Sequence, residues 1–268
     1  IGGHSHTLLS NTVEGAQPYP VMVGDTPVAQ AYAYSKYVGH LTLEFDADGN
    51  VTSATGDTIV LDAAVEPNAD IVARVCELAG PIEELKARVV GSTDMAIDGD
   101  RAVCRTQECP MGNLVATAML ERVKDQGIQI AIQNGGGLRA SIDAGDVTMG
   151  EVLTVLPFQN TLATFQLKGA DVVAALENGV SQVEEVKGRF PQVAGLTFKW
   201  DPSVAPNEGR ITEVMIGGEA IDMDATYGVV SNNYMRGGGD GYGVFETGGM
   251  NAYDFGPDLA DVVAEYIA

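Results

Sequence analysis

The stretch IQIAIQNGGGLR, residues 128–139, determines how the rest of this chain is interpreted. Its apolar residues predict a buried strand, and the three glycines that follow predict a tight loop. MGNLVATAMLERVKDQ before it predicts a helix, and TLATFQLKGADVVAALENGVSQV after it predicts a strand and then a helix. Alternating strands and helices are typical of α/β proteins, so we expect one mixed α/β (α+β) domain of about 180 residues over 90–268.

The first quarter of the chain has a different pattern. Residues 20–62 have the composition of strands and turns, with DADGN at 46–50 as a hairpin turn. Residues 67–89 have helical apolar spacing, which predicts a core position for the Cys76 thiol, and Gly80-Pro81 is expected to interrupt or kink this helix. The expected division is therefore 1–64, a linker helix at 65–89 and the domain at 90–268.

The composition excludes several classes of partner. The 268 residues include 37 acidic and 15 basic side chains, a formal net charge of -22 that would repel polymeric nucleic acid and anionic lipid surfaces. No apolar run approaches the roughly 18 residues of a membrane span. The chain has no initiating Met and no signal-peptide pattern, so we expect a mature chain or an internal fragment.

Five loop segments of the 90–268 domain carry residue types that structure alone does not explain. Taken singly, their aromatic residues are typical of a core and their arginines of a surface. Together they offer cations for phosphate, two rings for a planar base, and amide and carboxylate groups for a base edge and sugar hydroxyls, which favours a nucleotide. NGGGLR matches neither the dinucleotide nor the P-loop glycine pattern. The segments are RAVCR (101–105), NGGGLR (134–139), LPFQN (156–160), GRFPQVAG (188–195) and NNYMRGGGDGYG (232–243).

Histidine and cysteine raise two further questions. In IGGHSHT, His4 and His6 are one residue apart, and on an extended segment both imidazoles can face one side as metal ligands. A metal needs more donors than these two, and the chain contains one other histidine, His40. Cys104 and Cys109 bracket four residues in CRTQEC, and this spacing is compatible with a disulfide or with two free thiols.

Several motifs, in order along the chain, resemble the 5'-nucleotidase family, which includes UDP-sugar hydrolases and 2',3'-cyclic nucleotide phosphodiesterases. They are GGHSHT (2–7), CRTQECPMGNL (104–114), the long segment from Gln133 to Leu162, LKGADVVAALENGV (167–180), FPQVAGLTFKWD (190–201) and NNYMRGGGDGYGVF (232–245). The resemblance implies that 90–268 is a layered α/β substrate-binding domain. It also implies that 1–64 is the tail of a metallophosphoesterase β-sandwich domain and that 65–89 is a linker helix.

The resemblance also implies residue roles. It places a base between Phe158 and Tyr234. At the position of Tyr234 the family more often has Phe. The resemblance implies that Arg101, Arg105 and Arg139 contact the phosphate. It implies that Asn134, Asn160 and the Gly188 backbone contact the base and that Asp240 binds the ribose hydroxyls. His4 is implied as a metal ligand, with His6 near the second metal, and Cys104 and Cys109 as a disulfide, which favours a periplasmic or extracellular protein.

The activity implied by the resemblance is hydrolysis of nucleoside phosphates by two divalent ions, such as Zn, Mn, Co or Mg. The family's DxH and GNH or GND motifs are absent from these 268 residues, so we expect a fragment that binds a nucleotide or nucleoside without turnover of its own. Two alternatives remain: a free-standing, non-catalytic nucleotide-binding module, and a relative of the sulfur-oxidation thiohydrolases.

Overall fold

The computed structural model describes residues 1–268, which divide into two compact units, Ile1–Leu78 and Ala79–Ala268. In the first unit, two antiparallel pairs of strands form because their turns carry glycine: Gly24 in the first and the predicted DADGN turn in the second. Leu9, Tyr19 and Ala29 form a small core. The strands are β1 (Val21–Val23), β2 (Thr26–Val28), β3 (Tyr37–Phe45) and β4 (Val51–Val60).

Helix α1 (Ala69–Ala87) contains the boundary between the units and lies within the predicted 65–89 linker. It continues through Pro81, so the expected interruption there is wrong. The prediction of a core position for Cys76 is also wrong: no residue of α1 is buried and the Cys76 thiol is exposed. Helical apolar spacing predicts an amphipathic helix, but burial of its apolar face depends on tertiary packing, which the spacing does not specify.

The second unit contains the predicted alternation of strands and helices. Its helices are α2 (Arg101–Cys104), α3 (Pro110–Val123), α4 (Met149–Val155), α5 (Gly169–Gly179), α6 (Asn233–Arg236), α7 (Gly243–Gly248) and α8 (Leu259–Ile267). Its strands are β5 (Val89–Thr93), β6 (Ile130–Asn134), β7 (Gly145–Thr148), β8 (Leu162–Lys168), β9 (Pro191–Ala194), β10 (Leu196–Trp200), β11 (Ile211–Ile216), β12 (Glu219–Ala220), β13 (Thr226–Asn232) and β14 (Met250–Tyr253).

The central sheet of this unit has the order β14-β8-β13-β6-β9, and only β13 and β6 are parallel. Alternate residues of β6 face opposite layers because side chains in a strand alternate. Ala131 packs in one core with α3, α4 and α8, whereas Ile130 and Ile132 pack in the other with α5 and α7. This confirms a layered, mixed α/β fold.

No helix of the structure combines the length and the apolar character that crossing a bilayer requires.

Candidate functional site

The loop after β6 makes close backbone contacts with two other loops of the second unit. The Gly135 amide donates to the Phe190 carbonyl at 2.8 Å, and the Gly136 amide donates to the Gly188 carbonyl at 2.7 Å. A Cβ on Gly136 would lie 2.8 Å from the Gly188 Cα, and a Cβ on Gly135 would meet the Cys104 carbonyl. Glycine is therefore required here because only a bare backbone lets three loops meet at the end of β6.

Three arginines lie around this loop. Burial lowers the pKa of the Arg105 guanidinium, and the neighbouring charges of Arg101 and Arg139 lower it further. The Arg105 Nε is buried and has no hydrogen-bond partner, and its Nη1 donates only to the Val186 carbonyl, at 3.4 Å. None of the three arginines forms an ion pair, although the chain has 37 acidic residues. The Asp240 charge opposes this lowering of the Arg105 pKa, but no carboxylate lies within ion-pair distance of the three arginines, so an anion would stabilise the site.

A disulfide and one buried amide hold Arg105 in place. Cys104 and Cys109 are joined in the structure, and Arg105 directly follows the first of them. The Gln192 side chain lies behind this loop, where its Nε2 donates to the carbonyls of Cys104 and Gln107 at 2.9 and 2.8 Å. Its Oε1 accepts from the Cys109 amide at 3.1 Å. The loop is thus anchored from both ends, which limits how far the Arg105 guanidinium can move.

Phe158 lies in the connection between α4 and β8. Its side chain is 54% exposed, and the Arg139 guanidinium carbon is 5.5 Å from the centre of its ring. Helix α4 begins at a capping box made by Thr148 and Glu151 and ends at Val155, so Phe158 and Asn160 follow a helix and precede strand β8. The ring therefore presents a free face, unlike a core aromatic.

Tyr234, the second aromatic, lies in α6 and is 49% exposed. Its ring packs against Gly239, where any Cβ would lie within 2.6 Å of the ring atoms. Its hydroxyl donates to the Asp240 carboxylate at 3.0 Å. Burial raises the pKa of this hydroxyl, and the Asp240 charge raises it further, so the hydroxyl stays a donor at neutral pH.

Asp240 links the two halves of the arrangement. Its Oδ2 accepts from the Asn134 amide at 2.7 Å, and the Cβ that Gly188 lacks would lie 3.1 Å from the same oxygen. Chains of contact therefore run from Phe158 through Arg139 to the glycine loop, and from there through Asp240 to Tyr234.

The loops of this cluster also hold unusual backbone conformations. Gln159, Val186 and Asp240 have positive φ values of 53, 54 and 53°, and a β-branched residue such as Val186 rarely adopts this region. Such conformations persist where the surroundings determine them strongly, as they often do at functional sites.

The structure brings together eight of the nine predicted binding residues through direct contacts or neighbouring charges. The ninth, Asn160, lines a small pocket with Phe158 and Gly137, and its carbonyl accepts from the Leu259 amide at 2.8 Å. The eight are Arg101, Arg105, Asn134, Arg139, Phe158, Gly188, Tyr234 and Asp240.

His4 and His6 belong to the first unit and are exposed. The expectation of an extended segment is wrong, because both have left-handed backbone, with φ of 65 and 55°. The Ser5 amide donates to the Gly3 carbonyl at 2.7 Å, which closes a tight turn centred on His4. No three residues among His, Cys, Asp and Glu cluster as metal ligands anywhere in the chain.

Sequence reasoning missed the polar residues behind the site. Gln133 and Asn232 are fully buried, and both donate to the Asn134 side-chain oxygen, at 3.2 and 3.1 Å. Arg189 donates to the side chains of Asn178 and Ser181, each at 3.1 Å. The sequence did offer a signal for Gln133 and Asn232: each is a side-chain amide at the end of an apolar strand, and a buried amide needs hydrogen-bond partners.

The fold and the site together define an α/β domain whose loops bring arginines and exposed aromatic rings together. The family profile described as "5'-nucleotidase, C-terminal domain" matches residues 89–247. The chain therefore belongs to the 5'-nucleotidase family, as its sequence motifs implied.

Individual relatives agree with this. The chain is 42% identical over 255 residues to the trifunctional nucleotide phosphoesterase protein YfkN of Bacillus subtilis, covering 91% of this chain and 17% of that protein. It is 33% identical to the 5'-nucleotidase of Mus musculus, covering 100% of this chain and 51% of that one. The solved 5'-nucleotidase precursor of Thermus thermophilus superposes with a TM-score of 0.70 at 38% identity, over 99% of this chain and 55% of that one. The chain thus spans about half the length, or less, of these relatives.

Proposed function

We propose that this chain supplies the nucleotide-binding part of a nucleotide phosphohydrolase of the 5'-nucleotidase type. The chain belongs to the 5'-nucleotidase family, and the relatives that it matches include a 5'-nucleotidase. The observation that carries the proposal is the set of Arg101, Arg105 and Arg139: the charges of Arg101 and Arg139 both act on Arg105, and none of the three forms an ion pair in this strongly acidic chain. A phosphate would satisfy these charges bidentately.

In this proposal the base stacks between the free faces of Phe158 and Tyr234, both about half exposed. Asp240 accepts from ribose hydroxyls. Asn134 keeps one amide N–H for the ligand, because the other donates to Asp240. Asn160 and the Gly188 backbone complete the contacts to the base. The ligand is then a nucleotide or nucleoside, and the formal net charge of -22 disfavours a polymeric nucleic acid.

Two divalent metal ions, of the class Zn, Mn, Co or Mg, would supply the hydrolytic chemistry of the whole enzyme, namely activation of water and neutralisation of phosphoryl oxygens. His4 and His6 are the ligands that this chain would contribute. They do not complete such a site: both are exposed, and no group of three potential ligands exists in the chain. The chain alone is therefore proposed to bind its ligand without catalysing its hydrolysis.

The Cys104–Cys109 disulfide supports a periplasmic or extracellular location, because such bonds persist in oxidising compartments. The same bond anchors Arg105, so an oxidising environment would also preserve the geometry of the proposed phosphate site.

Binding of AMP and adenosine to two variants tests the proposal. Arg139→Ala is expected to weaken AMP roughly tenfold and adenosine less than about twofold, because only AMP carries the phosphate. Phe158→Ala is expected to weaken both ligands to a similar extent. Isothermal titration or ligand-observed NMR measures the two affinities.

Arg122→Ala is the matched control, since it removes the same charge from an exposed arginine whose ion-pair distance to Glu265 is 3.8 Å. It is expected to change neither affinity. Equal losses of AMP and adenosine in Arg139→Ala, or unchanged binding in Phe158→Ala, would contradict the assignment of the site.

A further inference from the structure

Asp240 is held in an unfavourable conformation by bonds to all its polar groups. Its φ and ψ are 53 and 24°, in the left-handed region. Its amide donates to the Tyr234 hydroxyl at 3.1 Å, and its carbonyl accepts from the Asn178 amide at 3.2 Å. Its Oδ1 accepts from the Tyr234 hydroxyl at 3.0 Å and its Oδ2 from Asn134 at 2.7 Å. One phenolic oxygen therefore contacts both the backbone and the side chain of Asp240.

The element that carries this hydroxyl is itself fixed. Asn232 caps α6, its Oδ1 accepting from the Met235 amide at 2.8 Å. The Nδ2 of the same side chain donates to Asn134 at 3.1 Å. Asn134 in turn donates to the other carboxylate oxygen of Asp240, so Tyr234 and Asn134 approach the carboxylate from two directions within one polar network that is buried at Asn232 and Asn134 and exposed at Tyr234.

The two bonds leave a defined acceptor capacity on the carboxylate. An ionised carboxylate has about four lone-pair sites, two on each oxygen. The protein uses one on Oδ1 and one on Oδ2. One site on each oxygen stays available, and two adjacent acceptors match two adjacent hydroxyl donors, as in a vicinal diol.

We propose that the Tyr234 hydroxyl is a positioning group for Asp240 and that, through it, the site selects ligands with an intact ribose cis-diol. This inference rests on the proposed function. It adds that the aromatic ring and the carboxylate are one unit: the residue that stacks on the base also sets the orientation of the group that binds the sugar.

Tyr234→Phe tests the inference because it keeps the ring and removes only the hydroxyl. The affinities of the 268-residue chain for adenosine and for 2',3'-dideoxyadenosine are measured by NMR titration. The variant is expected to lose roughly tenfold in adenosine affinity and less than about twofold for the dideoxy compound. A general loss of folding would weaken both ligands alike.

Tyr227→Phe is the matched control. Its hydroxyl accepts from the Asp222 amide at 2.9 Å and bonds no residue of the site, so the ratio of the two affinities should stay at the wild-type value. Asp240→Asn is a second variant: asparagine tolerates the left-handed conformation, but the amide removes one acceptor oxygen. It is expected to lose the preference for the diol as well.

Hydrogen exchange of the Asp240 amide gives a readout without a ligand. This N–H donates to the Tyr234 hydroxyl, so its exchange should accelerate in Tyr234→Phe and stay unchanged in Tyr227→Phe. Unchanged exchange, or an unchanged ratio of adenosine to dideoxyadenosine affinity, would overturn the positioning role.

Phe158→Ala separates this result from failure of the proposed function. Suppose that the wild type binds adenosine and that Phe158→Ala weakens the binding of both nucleosides. If Tyr234→Phe then leaves the ratio of the two affinities unchanged, only the positioning role is wrong. If the wild type binds neither nucleoside, the nucleotide site is wrong and the inference fails with it.

Discussion

Breaking the Cys104–Cys109 bond is expected to destabilise the second unit measurably. The two cysteines are 5 positions apart, and the loop-closure entropy of so short a ring corresponds to about 2 kcal/mol at 25 °C. For a unit of this size, that loss lowers the unfolding midpoint by roughly 4–8 °C. Both sulfurs are buried, so serine would add a desolvation cost of its own. Comparing the reduced wild type with the oxidised wild type avoids this cost.

Trp200 makes the assay selective. It is the only tryptophan of the chain and lies in β10, so its fluorescence reports unfolding of the second unit. The protein is refolded with and without reductant, and urea unfolding is followed at the Trp200 emission. Thiol titration of the denatured, unreduced protein should find one free thiol, that of Cys76, and three after reduction.

Cys76→Ser is the matched control, because it removes the exposed thiol and leaves the bond. It should keep the full difference between oxidised and reduced protein. Equal unfolding free energies of the two forms, with the bond shown to be broken, would refute the entropic argument. The Gln192 hydrogen bonds would then hold the loop without the disulfide.

Two further predictions concern activity and pH. With Mn²⁺, Co²⁺ or Zn²⁺ added, this chain is expected to release phosphate from AMP at a rate far below about 1 per second, the lower end of typical enzyme turnover. Faster metal-dependent release would contradict the proposal that the chain lacks a complete metal site. In the first unit, hydrogen bonds from the Asn11 amide, the Thr58 amide and Ser10 lower the pKa of Asp57. A lowered folded-state pKa stabilises the fold above the unfolded-state pKa of about 4, and this stability is lost as pH falls through the folded-state value. Asp57→Asn should therefore destabilise this unit at neutral pH and less at acid pH, as followed by circular dichroism; an equal effect at both would exclude the charge as the cause.

The alternation of strand-like and helix-like patterns of apolar residues along the sequence was enough to predict the layered α/β unit. IQIAIQN reads as a buried strand because both faces of β6 are covered, and the structure buries all five residues of the strand. The same reasoning failed for α1. An apolar helical face predicts a helix but not what packs against it, and no residue of this helix, Cys76 included, is buried.

Residue types also predicted much of the candidate site, because arginine, exposed aromatic and glycine-rich segments are each suited to one part of a nucleotide. Their roles stay predictions until binding is measured. The spacing of Cys104 and Cys109 left bonded and free thiols equally open, and only the folded loop places the two sulfurs together.

What only the tertiary structure decided is the network behind these residues. Gln192 is 88 positions from Cys104, and Asn134 is 106 positions from Asp240, yet each pair is joined by a hydrogen bond. Hydrogen bonds of this kind depend on orientations that local periodicity does not specify, because they are set by which strands are neighbours in the sheet. The sequence by itself determined which chemical groups are available and which segments form strands and helices. The pairing of β13 with β6, and the glycine contacts beside them, determined that those groups meet.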